Sequence, residues 1–416
     1  MKLLYNTGLL LFRFIFSIAA LFNTKARAFV NGRKNLPEKL QHAFADIQAG
    51  VIWIHCASLG EFEQGRPIIE RLRSEFADKK ILLTFFSPSG YEVRKNYDQA
   101  DFVFYLPVDS PSHARKFIAI TKPELAIFVK YEFWYNYCHE LQRQHIPILS
   151  VSSIFRKDQL FFKPYGGFYR NILYTFNHFF VQNEESIALL KSIGITACTQ
   201  AGDTRFDRVN QIVKQKKTIP IVQHFKGSQK VFVIGSCWPD DMDVLSPFIN
   251  ENYYQAKFII APHEIDNAFI EEIEQSLQVQ CRRYSTIKPD ENLDDCQVLI
   301  IDNIGMLSHL YQYGEFAYVG GAFGKGLHNI LEAACYGIPI FFGNKNYQKY
   351  AEANELIMRG GAFEISDYHD LRSKYEMINI PENFMLACEV TRLYVEENLG
   401  ATEKIMAYCK TLLRVS

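Results

Sequence analysis

Glu61, Glu132, His263, His328 and Glu332 are the side chains whose types and neighbours suit acid–base and phosphate chemistry. Ser58-Leu-Gly-Glu61 comes directly after the apolar run Val51–His55, and Gly60 permits a tight turn there. A carboxylate at that place can take a proton from a substrate hydroxyl, or it can cap the helical pattern that begins at Phe62. Glu63, next to it, reads as a solvated face residue. Ser87-Pro-Ser-Gly90 follows the second apolar run, where Ser87 and Ser89 offer hydroxyls to a ligand or merely a turn and helix cap. Glu132, in Lys130-Tyr-Glu-Phe-Trp-Tyr-Asn136, sits just past Leu125–Val129. Two carboxylates are thus expected at one sheet edge, one able to deprotonate a hydroxyl and the other to position it or tune its pKa. Trp134 reads either as core or as a sugar-stacking surface.

A second group of residues suits a phosphorylated ligand. In Tyr318-Val-Gly-Gly-Ala-Phe-Gly-Lys-Gly-Leu-His-Asn-Ile-Leu-Glu332 the glycines, Gly321 among them, let backbone approach a ligand closely. The loop is expected to deliver His328 and Asn329 to a helix N-terminus that favours phosphate, with Glu332 one turn inside. The same glycines would also serve an ordinary strand–helix–strand crossover. Ser236 and Trp238, in Gly235-Ser-Cys-Trp-Pro239, close one further apolar run, and Pro262-His263 closes the next. Asn303-Ile-Gly-Met306 follows a third, so Ile304, Gly305 and Met306 would present backbone to a base or phosphate.

These positions share one logic: each lies just after a short apolar run. From Val51 such runs alternate with helical patterns, at 51–55, 81–85, 102–106, 125–129, 147–151 and 179–181. A second series occupies 231–235, 257–261, 297–301, 316–319 and 338–342. Alternation of this kind predicts parallel sheets covered by helices, whose ligand crevice lies outside the strands' carboxyl ends. We therefore expect an α/β chain with two Rossmann-like doubly wound domains, at 28–207 and 230–382. A polar linker at 208–229 joins them, and helices at 383–416 pack back on the first. A length of 416 residues agrees with two cores. With 45 Lys+Arg against 46 Asp+Glu, the near-zero charge argues against a nucleic-acid binder. Nine cysteines without a Cys-x-x-Cys pair suggest reduced thiols and no structural metal site. Residues 1–27 stand apart. Leu3 to Phe22 is interrupted only by Arg13, and Lys2, Asn6, Arg13, Ser17 and Thr24 fall on one helical stripe. That pattern predicts a membrane-associated helix, lying in the interface or spanning with one polar seam. Lys25, Arg27, Arg33 and Lys34 would hold the body on the cytoplasmic side. A cleaved signal peptide ending near Ala28 and a buried helix are the alternatives. The aromatic, basic stretch 155–176 fits either a membrane-facing surface or buried helices.

Taken in order, Ile52-Trp-Ile-His-Cys-Ala-Ser-Leu-Gly-Glu61, Ser87-Pro-Ser-Gly90, Tyr131-Glu-Phe-Trp134, Ala201-Gly-Asp-Thr-Arg-Phe-Asp207, Gly235-Ser-Cys-Trp-Pro239, Pro262-His263 and Gly320-Gly321 with His328-Asn329-Ile-Leu-Glu332 resemble the bacterial 3-deoxy-D-manno-octulosonic acid (Kdo) transferases that act on lipid A precursors. The resemblance implies a GT-B fold, with two lobes facing a central cleft, at the cytoplasmic face of the inner membrane. It implies inverting transfer of Kdo from CMP-Kdo to the lipid A precursor without a cofactor or divalent metal. By resemblance Glu61 is the general base and Glu132 the second acidic residue of the acceptor side, whose candidates are Ser58, Gly60, Ser87, Ser89, Arg156 and Arg205. Ser236, Trp238, Pro262, His263, Ile304, Gly305, Met306, Gly321, His328, Asn329 and Glu332 are the donor-side candidates. Arg156, Arg205 and Lys325 could pair with the Kdo carboxylate or lipid phosphates. The chain departs from the family where Lys130-Tyr-Glu132 keeps only the second of two glutamates and where Ala261-Pro-His263 lacks an arginine. These departures bear on acceptor preference rather than on reaction class.

Overall fold

The computed structural model describes residues 1–215, 217–288 and 291–413; Lys216 of the expected linker, positions 289 and 290, and the last three residues of the expected carboxy-terminal helices lie outside them. The strands are β1 Val51–Cys56, β2 Lys80–Phe85, β3 Phe102–Tyr105, β4 Pro123–Val129, β5 Ile148–Ser153, β6 His178–Val181, β7 Cys198–Gln200, β8 Val231–Cys237, β9 Lys257–Pro262, β10 Cys281–Arg283, β11 Val298–Ile300, β12 Phe316–Val319, β13 Ile340–Gly343 and β14 Ala362–Ile365. They form two sheets, ordered β3-β2-β1-β4-β5-β6-β7 and β10-β11-β9-β8-β12-β13-β14. Every pairing is parallel. In the first sheet the order reverses between β1 and β4, in the second between β8 and β12. Loops after those strands diverge to opposite faces and leave a crevice at the switch point.

The first unit comprises Met1–Arg208 with the chain from Leu399; the second is Val209–Asn398. Side chains of β1 alternate between two cores. Trp53 packs on Phe117, Phe128 and Tyr137, whereas Ile52, Ile54 and Cys56 pack on Phe62, Ile68 and Leu72 of helix Leu59–Glu75. The second unit is centred on Phe232, whose ring contacts Phe248, Phe258, Phe316 and Phe341.

The segment expected as one carboxy-terminal cap from 383 divides. Helix Pro381–Glu397 packs within the second unit through Ala387 and Thr391, while helix Ala401–Leu413 buries Ile405, Met406 and Cys409 on the first. Asp207 fixes this return, accepting from the backbone N–H of Gly400 at 2.7 Å and of Thr402 at 2.6 Å. The region expected as linker is largely helical, Thr204–Gln215 and Pro220–Lys226, and Val222 and Phe225 of the latter are buried. Stretch 155–176 divides: Phe155 and Phe176 are buried, and Phe133 stacks on Phe155 at 5.8 Å, whereas Leu160, Tyr165 and Tyr174 are exposed.

The first helix, Lys2–Ala19, is long and apolar enough to cross a membrane by length and composition, and none of its residues is buried. It nevertheless touches the first unit along its length. Tyr5 Oη donates to Asp109 at 2.7 Å, Asn136 Nδ2 donates to Asn6 at 3.0 Å, and Phe12 and Phe16 meet Phe29. Asn6 of the polar stripe therefore faces protein. Leu3, Leu4, Leu10, Leu11, Phe14 and Ile18 are exposed.

Candidate active site

In the first unit the carboxyl ends of β1, β2 and β4 bring Glu61, Ser87 and Glu132 to one edge. Ser58 is the N-cap of helix Leu59–Glu75, but its hydroxyl donates to the Glu61 carboxylate instead of capping backbone. Glu61 is thereby held at the first turn, half-buried, with the helix N-terminus favouring its charge. The Ser87 N–H donates to Ala57 O at 2.7 Å, which fastens the Ser87–Gly90 turn beside the Glu61 turn. Ser87 Oγ caps helix Pro88–Arg94 by accepting from Ser89 N, so the cap reading holds for this serine; the two hydroxyls are 3.0 Å apart.

Glu132 is held from two sides. Trp134 Nε1 donates to its Oε2 at 2.8 Å, and Nε2 of the fully buried His55 lies 3.3 Å from the same oxygen, within ion-pair range but without hydrogen-bond alignment. His55 Nδ1 faces the Thr84 hydroxyl at 2.9 Å and its carbonyl at 3.1 Å, and Thr84 Oγ1 accepts from Trp53 Nε1 at 2.7 Å. Burial, and then the charges of Glu61, Glu132 and Glu63, push the Cys56 thiol far up. Tyr131 is raised by burial and by Glu61, with Arg156 opposing. The exposed Arg156 donates to Tyr131 Oη at 3.4 Å. Arg205 Nε donates to Asp203 at 2.9 Å. Burial works against the Asp203 charge, yet Arg205 and Gln64 outweigh it and hold its pKa down. Glu63 is half-buried and paired with Arg94 at 3.0 Å.

In the second unit, the ends of β8, β9 and β12 build an aromatic stack. His263 and His328 rings lie 4.0 Å apart, Trp238 covers His263 at 4.7 Å, and Lys325 Nζ stands 3.6 Å over the Trp238 ring. Trp238 Nε1 donates to His328 Nε2 at 2.9 Å. That bond requires a bare Nε2, so neutral His328 carries its proton on Nδ1 and can donate from there. Burial, then His263, holds His328 down to about 4, and burial, with Lys325 adding, lowers His263. Both rings are uncharged at neutral pH.

Asp241 organises the backbone beneath this stack. Fully buried, it accepts from Gly321 N at 2.9 Å, Trp238 N at 2.8 Å and Tyr318 Oη at 2.7 Å, tying the β8 turn to the glycine loop after β12. Gly320 is required there, since a Cβ would stand 2.3 Å from Ser236 O; Gly321 has φ +94° and Ser236 φ +54°. The helix expected after the loop is a single turn, Leu331–Ala334, ended by Gly337 and Pro339. A dipole argument for phosphate is weak in so short a helix. Asn329 accepts from Leu331 N and donates to Glu332 at 3.1 Å. Ile304 is 90 % exposed in the loop that carries Gly305, φ +92°, and Met306. Sequence reasoning missed Asp241, Thr84 and the role of His55, whose contacts join residues distant in the chain.

Comparisons with known proteins agree with this architecture. Residues 34–208 match the family model described as 3-deoxy-D-manno-octulosonic-acid transferase (kdotransferase). The chain is 28% identical over 360 residues to the 3-deoxy-D-manno-octulosonic acid transferase of Aquifex aeolicus, covering 84% of this chain and 92% of that protein. It is 26% identical over 391 residues to a bifunctional glycosyltransferase/methyltransferase of Fusobacterium nucleatum, covering 90% and 58%. Among solved structures, a UDP-GlcNAc 2-epimerase from Neisseria meningitidis superposes with TM-score 0.59 at 17% identity, covering 88% of this chain and 100% of that one. MurG of Acinetobacter baumannii gives TM-score 0.55 at 9% identity, covering 87% and 99%. These structures share the two-domain GT-B fold.

Proposed function

The chain belongs to the Kdo transferase family of glycosyltransferases, and from that premise we propose that it moves Kdo from CMP-Kdo to a glucosamine hydroxyl of a lipid A precursor, with inversion, at the cytoplasmic face of the inner membrane. Glu61 removes the hydroxyl proton, the oxygen bonds to the anomeric carbon of Kdo, and the bond from that carbon to the CMP phosphate oxygen breaks. The placement of Glu61 and Glu132 just past the carboxyl ends of β1 and β4, the paired strands at the switch point of the first sheet, carries this reading. Ser58 orients Glu61, while Trp134 and His55 hold Glu132 toward the acceptor. Ser87, Ser89, Gly60 and Arg156 border the same acceptor edge; Arg205 supports it through Asp203.

Donor binding falls to the second unit. His328 Nδ1–H, Lys325 and the backbone about Ser236 and Gly321 face the phosphate, and the stacked rings of Trp238 and His263 offer a surface to the base or sugar. Pro262, Asn329, Glu332 and the Ile304-Gly305-Met306 loop complete that side. The test is incubation of the purified protein with CMP-Kdo and tetraacylated lipid A precursor, followed by mass spectrometry of the lipid. A mass increment of Kdo is expected, and Glu61→Gln should lose it while still binding CMP-Kdo. Undiminished transfer by Glu61→Gln refutes the assignment.

A further inference from the structure

An apolar cavity of about 430 Å³ lies between the first two helices and the turn after β2, lined by Phe16, Ala19, Ala26, Phe29 and Phe86 with Lys25 at its edge. Its inner wall is shared with the candidate acceptor edge. The Phe86 ring packs on Trp134 at 4.8 Å, Trp134 holds Glu132, and the next residue, Ser87, is bonded to Ala57 beside the Glu61 turn. A second cavity of about 260 Å³ opens across Phe16 and Phe29, bordered by Arg13, Lys34 and His113. Residues 1–37 hold six Lys or Arg and no Asp or Glu. Arg33 is not one of the available charges, because it lies 3.7 Å from the Phe29 ring centre and donates to Leu106 O and Phe86 O. The arrangement is an apolar slot that runs to the acceptor edge, inside a segment of uniformly positive charge.

We propose that this slot holds one fatty acyl chain of the phosphorylated lipid acceptor, with Lys25, Arg13 and Lys34 facing its anionic headgroup. The inference rests on the lipid reading of the acceptor given above. A soluble sugar acceptor has no use for an apolar slot continuous with the site, and a neutral lipid has none for the surrounding cations. Seating one chain would also fix the headgroup's register against Glu61, so acyl contacts made away from the reacting atoms would appear in acceptor affinity.

Two measurements separate this proposal from the activity it rests on. The first uses a diphosphorylated glucosamine disaccharide lipid bearing a diazirine at the end of one acyl chain, photolysed with the full-length protein in detergent micelles and mapped by mass spectrometry. Labelling is expected at Phe16, Phe29 or Phe86, and it should disappear in Ala19→Trp, which fills the slot from a partly exposed position at the end of the first helix. Labelling of Leu10, Phe14 and Ile18 alone, unchanged by Ala19→Trp, overturns the proposal, since it reports only contact of the outer face with lipid. This measurement needs no turnover and so stands even if transfer fails. The second compares KM for the acylated acceptor with that for its fully deacylated, water-soluble counterpart. Ala19→Trp should raise the former about ten-fold and leave the latter and kcat within two-fold, with Ala19→Leu intermediate. Equal changes for both acceptors, or none, refute the slot; a melting temperature matching the parent protein shows that the variants are folded.

Discussion

Replacing Asp241 tests whether the donor-side loop is held as the structure describes. Its carboxylate accepts from two backbone N–H groups, Trp238 and Gly321, and from the Tyr318 hydroxyl, all at a fully buried position. Asp241→Ala strips all three. Each unsatisfied buried donor costs about 1–3 kcal/mol, and with partial relaxation the loss should total about 3–5 kcal/mol. In a unit of this size that corresponds to a fall in Tm of about 6–20 °C. Asp241→Asn keeps an acceptor oxygen for both N–H groups and can give its amide N–H to Tyr318 Oη, so about 1 kcal/mol should be lost. The pH dependence adds a sign. Burial raises the Asp241 pKa. Its stabilising contribution is therefore complete below the ordinary carboxylate pKa and is lost as pH rises through the raised value. The parent protein should exceed Asp241→Asn in stability by more at pH 5 than at pH 8. Calorimetry, together with titration of CMP-Kdo followed by intrinsic tryptophan fluorescence, reads both effects. Donor affinity should drop more than ten-fold in Asp241→Ala and less than three-fold in Asp241→Asn. Wild-type affinity in the alanine variant would show that the Gly320–His328 loop is not positioned from Asp241.

Gly320→Ala should weaken CMP-Kdo binding about five-fold or more, since its Cβ would press on Ser236 O and Cys237 Cα, and overpacking of this kind costs about 1–3 kcal/mol; isothermal titration checks it, and unchanged affinity sinks it. Trp134→Phe removes one charge-assisted hydrogen bond from Glu132, which is about 1.5–3 kcal/mol and so at least ten-fold in kcat/KM with CMP-Kdo affinity retained. A change in donor affinity of the same size would place Trp134 elsewhere in the reaction. At the first helix, burial pushes Asp109 up to about 6 from 3.8. The Tyr5 bond opposes that rise, so its contribution to docking is present when Asp109 is ionised and is lost as pH falls. Hydrogen exchange of residues 2–19 should be faster in Tyr5→Phe than in the parent protein, by more at pH 7.5 than at pH 5.5 after correction for intrinsic rates, and equal rates would refute the docking role of Tyr5.

The strands that carry the site were legible because each is buried on both faces and reads as an unbroken apolar run: Val51–Cys56 and Phe316–Val319 need no tertiary knowledge to be found. The edge strands β7, β10 and β14 escaped for the opposite reason. Cys198–Gln200 and Cys281–Arg283 are three-residue segments half open to solvent, without an apolar period to see. Site residues divide along the same line. Glu61 and Glu132 are marked by position after a strand, whereas Asp241 looks like any acidic residue in the first turn of helix Pro239–Asn252 until Gly321 arrives from eighty positions away. His55 is similar: its partner Thr84 comes from the neighbouring strand through the register of β1 on β2. The helix after the glycine loop starts at Leu331 and not at His328–Asn329, because the Asn329 side chain accepts from Leu331 N and ends the loop there, a local bond that glycine spacing does not reveal.

Contacts of the first helix also bear on how a membrane would be met. A helix that crosses a bilayer must present apolar surface on every side that lipid touches, or cover its polar groups with protein. Here Tyr5 and Asn6 are bonded to Asp109 and Asn136, and Phe12 and Phe16 are packed on Phe29 a helix length away, so one whole side belongs to the folded unit. Releasing it to span would strand Asp109 without its Tyr5 donor and open the Phe29 contacts, a cost with no compensating bond in the hydrocarbon. What remains for lipid is the outer side with Leu3, Leu4, Leu10, Leu11, Phe14 and Ile18, next to the cations at Lys25 and Lys34. Such a surface suits a helix lying in the plane of the interface, where the same unit that holds Glu61 and Glu132 stays level with the headgroups of its proposed acceptor.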